Sequence, residues 1–142
     1  MIKVKIADIP MGIDNRYDYL CGICKDYFTE EEPALILSAT DSEIDAEFKN
    51  VGEGFSRGYL EGLVIYRKIA SRLYEYDGFV FHGAVLNYRG KACIFTARSG
   101  VGKTTHTRLW LSEFGDDVHY LNGDKPIIRI VDGQPYAYGT PW

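Results

Sequence analysis

The stretch Ala97-Arg98-Ser99-Gly100-Val101-Gly102-Lys103-Thr104-Thr105 constrains this chain more than any other. Before it, Lys91-Ala92-Cys93-Ile94-Phe95-Thr96 reads as a short buried strand, apolar and β-branched in its second half. After it, His106 to Phe114 carries Leu109, Trp110, Leu111 and Phe114 at mixed helical spacing. A strand passing through a loop of small residues into a helix, with Gly-Lys-Thr at the join, is the context of a phosphate-binding loop. Gly100 and Gly102 allow turn conformations closed to other residues, so the N–H groups of Ser99, Gly100, Val101, Gly102, Lys103, Thr104 and Thr105 can converge on phosphate oxygens. The helix adds its unpaired N–H groups and the positive end of its dipole. Lys103 would set an ammonium against the β- and γ-phosphates, and the Thr104 hydroxyl would ligate magnesium. Ala97 stands where the usual pattern opens with glycine. The competing reading, a strand-to-helix turn that binds nothing, explains Gly-Lys-Thr alone but not the whole run in this setting.

Composition narrows the function classes. The chain has 142 residues, 46% hydrophobic and 25% charged, which suits one globular domain or one domain with an appendage. A net charge of −4 speaks against wholesale binding to nucleic acid or to an anionic membrane. No apolar run reaches membrane-spanning length and Met1-Ile2-Lys3-Val4-Lys5 is no signal peptide, so a cytoplasmic location is expected. Three cysteines, an odd number, argue against a disulfide framework. The Cys21/Cys24 pair could serve redox chemistry or half a zinc site, but further ligands are dispersed, and buried free thiols are the simpler reading.

Along the chain, Ile2 to Ile6 alternates apolar and charged as a half-buried strand does, and Pro10, Gly12, Asp14 and Asn15 mark a loop. Tyr17 to Phe28 has no clear period. Ala34 to Ala39 is a strand candidate, and the acidic run Asp41 to Lys49 is a solvated helix or loop. Tyr59, Leu63, Tyr66, Ala70 and Leu73 share one face of a helix expected from about Phe55 to Tyr76, with Glu61 among the polar residues largely outside that stripe. Phe79 to Leu86 reads as an apolar strand, followed by a hairpin turn at Asn87-Tyr88-Arg89-Gly90. Val118 to Leu121 is a short strand ending in Asn122-Gly123-Asp124, and 127–131 with 134–138 form a second hairpin around Asp132-Gly133.

Asp124 follows the strand after the loop helix, where nucleotide enzymes put a carboxylate to hold magnesium or accept a proton. A plain turn aspartate before Lys125-Pro126 is the competing reading. For His82, one strand upstream of the loop, a core role and a functional role both stay open. The order Phe81-His82-Gly83-Ala84-Val85, then Ser99 to Thr104, then Asn122-Gly123-Asp124 resembles the catalytic domain of HPr serine kinase/phosphorylase and the small HPr-kinase-like proteins, within the phosphoenolpyruvate carboxykinase superfamily. The resemblance covers roughly Gly78 to Trp142.

That resemblance implies His82 as the active-site histidine, Lys103 on phosphate, Thr104 and Asp124 at magnesium, and Gly123 in place of the first of the family's paired aspartates. The expected fold is α/β (α+β), a mixed, largely antiparallel sheet with the phosphate loop followed by a helix. N-terminal strands and the long helix (1–77) would pack on a nucleotide-binding core (78–142), as two parts or one compact domain, incomplete at its C-terminal side relative to such cores. The expected function is an ATP- and Mg²⁺-dependent phosphotransferase acting on a serine-type hydroxyl of a protein, peptide or small molecule, possible as a homo-oligomer. The alternative is a nucleotide-binding sensor, scaffold or truncated form without turnover.

Overall fold

The computed structural model describes residues 1–98 and 100–142; Ser99, expected in the phosphate loop, lies outside the described residues. The fold is mixed α and β, built on small, mostly antiparallel sheets. It divides into two compact units, Met1–Leu73 and Tyr74–Thr140 with Trp142. The pairing runs in separate three-stranded sheets and not in the one mixed sheet expected.

In the first unit, β1 (Ile2–Ile6) and β2 (Ile9–Asp14) form a hairpin whose turn residues Ala7 and Asp8 both have positive φ. The loop expected at Pro10 to Asn15 is therefore mostly strand. Pro10 is tolerated because it lies opposite Lys5 of β1, one residue before the parallel pairing with β3 (Leu35–Ser38) begins at Met11. The unassigned Tyr17–Phe28 segment holds a short helix, α1 (Tyr19–Ile23), and one 3-10 turn. The acidic run is a helix, α2 (Asp41–Val51), opened by a capping box between Thr40 and Glu43. The long helix, α3, runs over Arg57–Arg72 with Ser56 as its cap.

The buried stripe of α3 is Leu60, Val64, Ile65 and Ile69, continued by Leu73, one step round from the face expected. Glu61 corrects the expectation most sharply, since it is fully buried. Its carboxylate accepts the backbone N–H groups of Arg16 (2.7 Å) and Tyr17 (3.2 Å), which would otherwise lose their bonds on burial. Gly58 and Gly62 let α1 approach, because an added Cβ would lie 2.8 Å from Tyr19 Cβ and 2.9 Å from the Tyr19 ring respectively.

In the second unit, the strand expected over Phe79–Leu86 breaks in two. β4 (Gly78–Val80) joins β8 (Ile127–Val131) and β9 (Gln134–Tyr138), while β5 (Ala84–Tyr88) sits between β6 (Lys91–Phe95) and β7 (Val118–Asn122). Phe81-His82-Gly83 is the joint, so His82 is on no strand. Both expected hairpins form, with positive φ at Arg89 and Gly90 and at Asp132 and Gly133. After β6 the chain enters α4 (Lys103–Phe114), whose His106, Trp110 and Phe114 meet the rings of Phe95 and Tyr88. Leu109 of this helix is 61% exposed.

The Glu43 carboxyl is held down to about 2 from its ordinary 4.5, chiefly by the Lys68 ammonium and then by the Thr40 N–H. A depressed carboxyl adds stability above its unfolded value that is lost as pH falls through the folded one. Glu43→Gln should therefore lower chemical-denaturation stability at pH 6 and narrow its loss between pH 4.5 and 2; equal curves for both proteins would refute this.

Candidate functional site

Sheet register decides which residues meet. Ala84, at the start of β5, pairs with Phe95 at the end of β6, and Val85 pairs with Asn122 at the end of β7. The joint carrying His82, the loop 96–102 and the turn 123–125 therefore leave one end of one sheet. Gly83 makes that junction close. A Cβ there would lie 2.9 Å from the Phe95 carbonyl oxygen and 2.9 Å from the Phe81 ring.

Within the loop, Gly100 and Gly102 have φ of +83° and +95°, in the left-handed region that favours glycine. Among the described residues nothing lies within 4 Å of where their Cβ atoms would be, so it is the backbone conformation that calls for glycine. Gly102 is the N-cap of α4; among the described residues no side chain caps that helix, and its first turn holds no acidic residue. A helix start of this kind offers N–H groups to an external acceptor, beside the positive end of the dipole. Lys103 folds back over the loop, where its ammonium donates to the carbonyl oxygens of Ala97 (2.8 Å) and Arg98 (3.4 Å). Thr104 and Thr105 are exposed in the first turn, and Val101 is exposed in the loop.

Across the junction, His82 Nε2 donates to Asp124 Oδ1 at 3.0 Å, and Lys125 Nζ donates to Asp124 Oδ2 at 3.0 Å. A carboxylate only accepts, so in the neutral imidazole the hydrogen sits on Nε2 and Nδ1 keeps its lone pair. The Lys125 ammonium is the main cause holding the Asp124 carboxyl below its usual range; partial desolvation opposes it, and His82 adds a smaller pull. Asp124 is thus an anion at neutral pH.

The structure brings His82 and Asp124 into direct contact. Among the described residues, no hydrogen bond or ion pair joins Lys103 or Thr104 to that pair. Sequence reasoning passed over Lys125 and Asn122. The Asn-Gly-Asp-Lys spelling carries a signal for both, since asparagine caps turns two residues on and lysine follows the carboxylate directly.

Gly123, where the resemblance expects a carboxylate, lies under Tyr120: an added Cβ would sit 2.0 Å from the phenol oxygen. That ring is 56% exposed and can swing away. The second unit holds no group of three or more His, Cys, Asp or Glu able to cage a metal, among the described residues. At the Cys21/Cys24 pair, burial pushes the Cys24 thiol up to about 12, so that it is a thiol and not a thiolate at neutral pH.

No model of a known protein family matches the chain, and no curated protein matches it. No helix among the described residues is long and apolar enough to cross a membrane.

Gly83→Ala should cost roughly 1–3 kcal/mol, because the neighbour it would strike is backbone and cannot rotate aside. Denaturant unfolding measures it, and a change under ~0.5 kcal/mol would show that the junction is looser than the geometry indicates.

Proposed function

We propose that this chain is an ATP-dependent phosphotransferase of the HPr-kinase-like class, acting in the cytoplasm on a serine-type hydroxyl of a protein, peptide or small molecule. The observation that carries the reading is the common exit of three segments from one sheet end: the histidine joint, the glycine loop before an uncapped helix, and the turn with Asp124.

Residues 97–105 hold the phosphates, with the N–H groups of the first turn of α4 as donors and Lys103 as the mobile cation. To reach a phosphate, the Lys103 ammonium exchanges the Ala97 and Arg98 carbonyls for phosphate oxygens. Thr104 and Asp124 would hold Mg²⁺, which when bound neutralises phosphate charge. Asp124 orients the His82 ring through Nε2, leaving Nδ1 to take the proton of the incoming hydroxyl. Lys125 lowers the Asp124 carboxyl further below its usual range.

A second reading, a nucleotide sensor without turnover, is favoured by Gly123 and by the engagement of both Asp124 oxygens with His82 and Lys125. Transfer of the labelled γ-phosphate of ATP to serine and serine-containing peptides separates the two. Under the first reading Lys103→Ala abolishes transfer and Asp124→Asn lowers it by about 10²-fold or more, with nucleotide affinity largely kept. Wild-type rates in either variant would refute the mechanism, and ATP binding without any transfer would support the sensor. Gly123→Asp should tighten magnesium binding in the presence of ADP, since it adds a second carboxylate at the cost of swinging Tyr120.

A further inference from the structure

We infer that Asn122 is the positioning residue of this site: its buried side chain fixes the turn carrying Asp124 and ties that turn to Thr140, so that the carboxylate faces His82. The inference rests on reading Asp124 as the functional carboxylate.

Asn122 ends β7 and is 6% exposed. Its Oδ1 accepts the N–H groups of Asp124 (2.9 Å) and Lys125 (2.8 Å), an Asx-turn that sets the course of the backbone through both residues. Its Nδ2 group faces the Thr140 carbonyl (3.2 Å), the Thr140 hydroxyl (3.1 Å) and the Trp142 carbonyl (3.3 Å). Thr140 is itself buried, and its hydroxyl reaches the Lys125 carbonyl at 2.9 Å. A closed ring results, from Asn122 to Lys125, on to Thr140 and back to Asn122. One further bond carries the hold to the histidine joint, since the Gly83 N–H donates to the Asp124 carbonyl at 3.0 Å.

No other side chain of this size offers an acceptor and donors in that geometry, and a buried amide left half-satisfied is costly. Among the described residues no hydrogen bond joins the Asn122 side chain to the His82 ring or the Asp124 carboxylate, so its hold on the pair runs through the backbone. This makes it separable from a residue that merely stabilises: loss of Asn122 should loosen the turn before it loosens the sheets.

Amide hydrogen exchange by NMR on the full chain tests this, in wild type, Asn122→Ala, Asn122→Ser and Thr140→Val. Asn122→Ala should speed exchange at Asp124 and Lys125 by about tenfold or more, and at Gly83 to a lesser degree, while amides of β8 keep their rates. Asn122→Ser keeps a short acceptor and should restore part of the protection at Asp124. Thr140→Val should show the same pattern more weakly, and it keeps the test open if Asn122→Ala does not fold. Unchanged rates at Asp124 and Lys125, or a uniform rise that includes β8, would overturn the inference. Calorimetry of ATP supplies the functional arm: Asn122→Ala should lose the magnesium-dependent part of the affinity and keep the magnesium-independent part. If the wild type binds no ATP, the nucleotide reading falls, and the exchange rates still decide whether Asn122 holds Asp124.

Discussion

The candidate site depends on the close approach of Gly83 to the Phe95 carbonyl. With no Cβ at 83, the joint after β4 comes within contact distance of the end of β6, the strand that feeds the glycine loop. The antiparallel register does the rest, because it forces β5 to begin where β6 and β7 end. Residues 42 positions apart in sequence, His82 and Asp124, then meet at 3.0 Å without either lying on a strand. Function at such a place comes from loops held by a rigid frame, and here the frame is a small sheet with α4 fixed to it by an aromatic ladder.

Charge at this end of the sheet is unbalanced in a useful direction. Asp124 is met by His82 and Lys125, while Arg98 and Lys103 stand in and beside the loop. An uncapped helix start adds a further positive pole. Lys103 sets its ammonium on the carbonyl oxygens of Ala97 and Arg98, within the loop itself. The same crowding limits metal chemistry, since a single carboxylate whose two oxygens already meet His82 and Lys125 must release one of them to serve magnesium.

Local chemistry made much of this legible from sequence. The glycines around Gly-Lys-Thr and the hairpin turns at Arg89-Gly90 and Asp132-Gly133 depend on neighbours within a few positions, and each appears where the pattern places it; α3 also forms, with its buried stripe one step round from the expected face. What stayed hidden is set by distant partners. Glu61 looked solvated because nothing nearby in sequence shows that the N–H groups of Arg16 and Tyr17 need its carboxylate. The break at Phe81-His82-Gly83 was invisible because both halves are apolar and only the pairing partners, β8 and β6, differ. Asn122 read only as part of a strand end, because its reach to Thr140 spans 18 positions.

The nucleotide assignment is tested most directly by titration calorimetry of ATP against the wild-type chain and Lys103→Ala, each with and without magnesium. The expected result is magnesium-dependent binding that weakens by about tenfold or more in the variant. Equal affinity in the two proteins, or no heat of binding in the wild type, would contradict the assignment of residues 97–105 as a phosphate loop.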